Sequence, residues 1–266
     1  MSGGRDAPGG GGTAGRREGE RAGEGEGRRA GRAVLLAGGN SPIGLAVAAA
    51  FAGRGDRVAG IGLRPCDDPV YRAFLVRDCA RPEEARAAVA EAAGLLGGLD
   101  VLVAATAAMP VAPVTATTDE QWRTAIGATL DAAFHLCRES LPLMAPGGAV
   151  VAIGSVNSFL AAPGVPAYAA AKGGLDALMR QIALEYGPAG IRANTVAPGM
   201  IGGEHLENAA EGYPLGRTGT PADVAEAVVF LAGAAFVTGA VLPVDGGLSI
   251  ASPAAYLRPD LRARFL

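Results

Sequence analysis

Seven short runs, apolar on both faces, punctuate the chain: AVLLAG (33–38), RVAGIG (57–62), AFLVRD (73–78), DVLVAA (100–105), AVVAIGS (149–155), IRANTVAPG (191–199) and AVLPVDGG (240–247). Most of them lack the strict alternation of a strand with one wet face, so they are expected to be covered on both sides. Between most of the runs lie about 12 to 30 residues of alanine-rich, helix-compatible sequence, such as 82–96 and 118–144. Connections of that length join parallel strands. The pattern predicts an α/β fold: a single-domain, doubly wound parallel sheet of about seven strands with helices on both faces. Its ligand is expected at the carboxyl ends of the strands.

The length of 266 residues, half of them hydrophobic, suits one large domain rather than two. Three segments are expected: a Gly/Arg/Glu-rich tail over 1–31 with too little apolar surface to order, the folded domain over 32–250, and a C-terminal extension over 251–266 placed at a subunit interface. The net charge is -3 and no part of the folded region concentrates basic residues, which points away from nucleic acid and anionic membranes and toward a small-molecule partner.

Cys66, Cys79 and Cys137 are odd in number without a C-x-x-C spacing, and His135 and His205 are far apart, so neither a disulfide framework nor a metal site is expected. The cysteines read as small buried hydrophobes. The apolar stretch VLVAATAAMPVAPV is short and broken by Pro110 and Pro113, and the N-terminus has no signal-like apolar core; the expected location is cytoplasmic.

The first run leads into AGGNSPIG (37–44) and then a helical stretch. A glycine-rich turn between strand and helix lets backbone N–H groups and the positive helix end meet a pyrophosphate. Ser41 is placed to cap the helix and Pro42 to occupy its first position. This turn resembles the T-G-x-x-x-G-I-G motif of the short-chain dehydrogenase/reductase family, with Gly38, Ile43 and Gly44 matching while Ala37 and Pro42 depart from it. The resemblance implies a Rossmann-type fold that uses NAD or NADP, with Gly38, Ser41, Ile43 and Gly44 at the cofactor.

Further along, the resemblance places Asp78 and Cys79 beside the adenine, and Ala104, Ala105, Thr106 and Ala107 where the family has N-N-A-G. Ala105 would then approach the cofactor through its backbone. The acidic residue that binds the ribose diol is replaced by Gly62, with Arg64 two positions on, which favours NADP(H) over NAD(H) because an arginine pairs with a 2′-phosphate. Pro198 and Gly199, in the segment containing Asn194, would border the nicotinamide together with Ile201.

AYAAAKGG (167–174) carries Lys172, the single lysine in a chain with 22 arginines. Tyr168 precedes it by four residues, one helical turn, and Ser155 ends the fifth run. A compact ammonium beside a phenol favours the phenolate, a role arginine fills less well. Tyr168 is therefore the expected general acid/base, Lys172 the group that lowers its pKa and binds ribose, and Ser155 the donor to the substrate oxygen. This trio implies hydride transfer between a ketone and a secondary alcohol.

The nearest look-alikes are 3-oxoacyl-carrier-protein reductases and biosynthetic ketoreductases, so the expected substrate is a small carbonyl or alcohol, carrier-bound or polyketide-like among the options. The alternative is a non-redox cyclase, dehydratase or isomerase, favoured by the departures at Pro42, Gly62, Ala104 and Ala105. Two more departures are Thr129, where the family has an asparagine serving a water-linked proton path, and Gly203 in place of a threonine at the nicotinamide amide. Residues 200–216 are expected to form a mobile lid that selects substrate, with His205 exposed on it. Trp122 and Phe134 read as packing or interface residues, and the resemblance implies a homodimer or homotetramer.

Overall fold

Side chains along each central strand alternate between two separate apolar layers. Leu35 and Ala37, Leu102 and Ala104, and Val150 and Ala152 enter one layer; Val34 and Leu36, Val101 and Val103, and Val151 and Ile153 enter the other. Both faces of the sheet are thus covered, which is why the runs show little polar alternation. The computed structural model describes residues 31–250 together with Asp260. The tail expected over 1–31, apart from Gly31, and the extension expected over 251–266, apart from Asp260, lie outside the described residues.

The strands are β1 (Ala33–Ala37), β2 (Arg57–Gly62), β3 (Ala73–Val76), β4 (Leu99–Ala104), β5 (Met144–Ile153), β6 (Arg192–Pro198) and β7 (Val241–Val244). They form one seven-stranded sheet in the order β3-β2-β1-β4-β5-β6-β7, with every pair parallel. The chain reverses its winding direction between β1 and β4. A crevice opens there at the carboxyl edge of the sheet, the usual ligand position in this architecture.

The major helices are α1 (Pro42–Ala52), α2 (Pro82–Leu96), α3 (Asp119–Ile126), α4 (Ala132–Ser140), α5 (Pro166–Tyr186) and α6 (Pro221–Gly233). Four of them begin on proline, whose fixed φ suits the first turn and whose missing N–H is not needed there. Helix α6 also has a capping box, in which Thr220 and Asp223 satisfy each other's backbone N–H groups. No helix of the described residues is long and apolar enough to cross a membrane.

The helix-compatible stretch over 118–144 is divided among several elements. Helix α3 passes into a π turn over Gly127–Asp131 and then α4, and β5 already begins at Met144. The π turn carries an extra residue that rotates the following side chains, so Thr129 is buried and Leu130 packs against Gly174 of α5. A Cβ at Gly174 would stand 2.8 Å from Leu130 Cδ2, so glycine sets how close these elements come.

Candidate active site

The turn after β1 is shaped by what a side chain would strike. Gly38 has φ +83°, and a Cβ there would stand 2.6 Å from the Ala105 carbonyl oxygen on the neighbouring β4 edge. At Gly44, in the first turn of α1, a Cβ would stand 2.3 Å from the Gly38 carbonyl oxygen. Glycine at both positions lets the helix end tuck against the strand ends. Ser41 Oγ accepts from Gly44 N at 3.0 Å and donates to the Gly38 carbonyl at 2.8 Å, closing the turn. Ile43 is half-buried and packs on the core under α1.

Beside this turn lies a cleft with a volume of about 460 Å³. It is walled by six of the residues assigned to the nucleotide from sequence: Gly38, Ser41, Arg64, Asp78, Cys79 and Ala105. Asp78 Oδ1 accepts from Ala80 N at 3.1 Å, which orders the 78–80 corner. Cys79 is buried and its thiol is pushed up to about 12, first by that burial and then by the nearby carboxylates. Thr106, on the same wall, has a buried hydroxyl oxygen with no partner.

Two polar residues of this cleft, Asn40 and Arg77, were not singled out from the sequence. Asn40 reaches across the turn: its Nδ2 donates to the Arg64 carbonyl at 3.2 Å, and its Oδ1 would stand 2.7 Å from a Cβ at Gly62. Arg77 lines the cleft while pairing with Glu91 at 3.2 Å on α2. The asparagine in AGGNSPIG and the arginine directly before Asp78 were the available signals.

Ser155, Tyr168 and Lys172 come together at the carboxyl end of β5. Ser155 is buried just beyond the strand, with its Oγ accepting from Asn157 N at 3.1 Å. Tyr168 and Lys172 lie one turn apart in α5, with Lys172 Nζ 5.5 Å from the Tyr168 ring centroid. Lys172 is 2% exposed, and Nζ donates to the Ile153 carbonyl at 2.5 Å.

Burial pushes the Tyr168 phenol above its ordinary value, and the polar influence of the nearby Ser155 hydroxyl pulls it part of the way back. The dominant influence therefore opposes the lowering expected of Lys172. The lysine itself is drawn down to about 8 by burial, with the negative charge of Asp176 acting in the other direction. Asp176 was also not singled out; its signal was a carboxylate four residues after the lysine in an apolar helix stripe, GGLDALM.

The strand-six side of the crevice is braced rather than open. Pro198 is buried at the end of β6, and Gly199 N donates to the Val244 carbonyl at 3.0 Å. Ile201 forms a bridge with Gly219. Asn194 lies within the sheet, where its side chain bonds the Val237 carbonyl and Ala240 N, tying β6 to the approach of β7. In the 200–216 segment Tyr213 Oη accepts from Met200 N at 2.7 Å, and Gly203 adopts φ +85° against Met200 Sδ. His205 is exposed, Trp122 and Phe134 are each 45% exposed, and Thr129 Oγ1 is buried without a partner.

Residues 37–249 match the family described as enoyl-(acyl carrier protein) reductase. The chain belongs to the short-chain dehydrogenase/reductase family. Among relatives in this oxidoreductase family, an uncharacterized oxidoreductase of Schizosaccharomyces pombe is 36% identical over 239 residues, covering 84% of this chain and 92% of its own. The 2-(R)-hydroxypropyl-CoM dehydrogenase of Xanthobacter autotrophicus is 35% identical over 81% of this chain and 97% of its own. A short-chain dehydrogenase from Burkholderia cenocepacia, solved in complex with NADP, superposes with a TM-score of 0.78 at 26% identity, over 82% of this chain and 98% of that one.

As a short-chain dehydrogenase/reductase, the protein fits a nicotinamide dinucleotide at this crevice. The Gly38 and Gly44 positions form a cradle that a Cβ would fill, and the unpartnered Thr106 hydroxyl faces the same cleft wall. Pro42 subtracts one N–H from the helix start, leaving the closed Ser41 turn as its main order.

Proposed function

We propose that this protein is an NADP(H)-dependent ketoreductase, interconverting a ketone and a secondary alcohol. The observation that carries the reading is the convergence of Ser155, Tyr168 and the buried Lys172 at the carboxyl end of β5, with Lys172 Nζ 5.5 Å from the Tyr168 ring centroid and bonded to the Ile153 carbonyl. When bound, the dinucleotide supplies hydride chemistry at the substrate carbon. In the reducing direction Tyr168 Oη gives its proton to the carbonyl oxygen, and in oxidation it takes the proton back. Ser155 Oγ donates to the same oxygen as charge develops on it. Lys172 holds a positive charge over the phenol and, through the Ile153 carbonyl, fixes the spacing between β5 and α5.

Arg64 and Arg77 flank the adenosine end of the cleft, and their guanidinium groups suit a 2′-phosphate. Asn40, filling the space beside Gly62, offers an amide where a carboxylate would repel that phosphate. On the substrate side, the loops after β4, β5 and β6 carry exposed Met109, Val111, Phe159, Met200 and Leu206, which suits a largely apolar carbonyl compound.

Titration of the purified protein with NADPH and NADH, read by nucleotide fluorescence and by thermal protection, tests the reading. Saturable micromolar binding with NADPH tighter than NADH is expected, followed by NADPH consumption with apolar ketones. Absence of binding at millimolar cofactor would overturn it. The non-redox alternative, favoured by Pro42 at the phosphate turn, predicts conversion of substrate with no change in nucleotide absorbance.

A further inference from the structure

One turn beyond Lys172 on the same face of α5, Asp176 is 5% exposed and its Oδ1 has no hydrogen-bond partner. The side chain points at the β5–β6 pair: a Cβ at Gly154 would stand 3.3 Å from Asp176 Oδ1 and 2.5 Å from Thr195 Cγ2. Glycine at 154 leaves the carboxylate its space. Lys172 Nζ ends on the carbonyl of Ile153, the residue directly before Gly154. The two buried, opposite charges therefore converge on adjacent residues of one strand end, and among the described residues they form no direct ion pair.

A buried carboxylate without hydrogen bonds is strongly disfavoured unless an opposite charge offsets it, and the same holds for a buried ammonium. The other ionisable groups on elements packed against α5 are directed elsewhere. Arg192 of β6 donates to the Leu231 and Ala232 carbonyls; Asp119, Glu120 and Arg123 of α3 and Asp131 of the π turn are exposed. Tyr168 and Asp176 remain as the titratable groups facing Lys172. Burial favours loss of the lysine's proton and Asp176 acts against it.

Resting on the ketoreductase reading above, we propose that Asp176 is a positioning residue for the reaction, an unbonded buried carboxylate whose field keeps Lys172 charged beside Tyr168. It touches no reacting atom and acts through the lysine.

Because Lys172 is the single lysine of the chain, its protonation can be followed without any substrate. Competitive acetylation of the intact protein with acetic anhydride across pH, with the Lys172 peptide quantified by mass spectrometry, gives a titration midpoint. In wild type the midpoint is expected above neutral pH; a lysine already uncharged at neutral pH overturns the proposal. In Asp176→Asn, which keeps shape and removes charge, the midpoint is expected to fall by about one pH unit. An unchanged midpoint in a variant that melts cooperatively near the wild-type temperature also overturns it. The wild-type measurement keeps the proposal open to refutation if the variant does not fold.

In turnover, Asp176→Asn should move the alkaline limb of the kcat/KM profile to lower pH by the same amount. A uniform loss at every pH with the limb unmoved marks a merely structural role and counts against the proposal. If wild type consumes no NADPH with any carbonyl compound, the ketoreductase reading fails, and the labelling midpoint alone still decides whether Asp176 holds the lysine's charge.

Discussion

The amide of Asn40 occupies the space that a side chain at Gly62 would need: a Cβ there would stand 2.7 Å from Asn40 Oδ1. The end of β2 and the glycine turn are thereby interlocked at the adenosine side of the cleft. Replacement Gly62→Asp forces Asn40 away and adds negative charge beside Arg64. NADPH affinity should fall at least tenfold while NADH is weakened less, as measured by fluorescence titration of both nucleotides. Equal weakening of the two would show that this corner does not read the 2′-phosphate.

Lysine rather than arginine at 172 follows from burial and the short contact of Nζ with the Ile153 carbonyl. A guanidinium is larger, planar and forked, and does not fit a site shaped for one tetrahedral ammonium. Lys172→Arg should lower kcat at least a hundredfold with secondary structure retained by circular dichroism. Near-normal turnover would refute the role of the residue.

The same burial has a consequence for stability. Lys172 is drawn from 10.5 to about 8 in the folded protein, so the folded state holds its proton less tightly than the unfolded chain does. Below about pH 8 both states are protonated and the full cost of burying the charge is present; that cost is relieved as pH rises from about 8 toward 10.5. Lys172→Met should therefore be more stable than wild type near neutral pH, by on the order of 2 kcal/mol after loss of the Ile153 hydrogen bond. The gap should shrink above about pH 8, and paired denaturant titrations at several pH values check this.

Tyr168→Phe removes the phenol placed near Ser155 and should reduce turnover by about three orders of magnitude. Nucleotide affinity should change little. Single-turnover absorbance measurements with prebound NADPH separate the chemical step from binding.

Gly44→Ala introduces a methyl group whose ideal position is 2.3 Å from the Gly38 carbonyl oxygen. Backbone on both sides leaves nothing flexible to move. The substitution should cost roughly 1–3 kcal/mol of stability and weaken nucleotide binding, read by thermal melts with and without NADPH.

The apolar runs located all seven strands: burial on both faces leaves its local mark most fully in the central strands, while β3 and β7 at the sheet edges are only partly buried yet still apolar. The Tyr168 and Lys172 pair was legible because a helix puts residues four apart on one face, and Ser155 because it ends a strand. The division of 118–144 was less visible: a π turn differs from an α-helix by one residue, and only packing of Leu130 against Gly174 shows it. Asn40 acquires meaning only once β2 lies beside the first turn, since it stands 22 positions before Gly62 in the chain.

Sequence by itself determined the layer architecture, the parallel sheet and the choice of candidate side chains for the site, all of which leave a mark in local periodicity, spacing and motif. Tertiary structure alone decided the electrical environment of those side chains. The depth of Lys172, the unpartnered Oδ1 of Asp176 and the burial that raises Tyr168 depend on which distant strands close over α5. Desolvation is set by everything packed around a group, and no spacing along the chain encodes it.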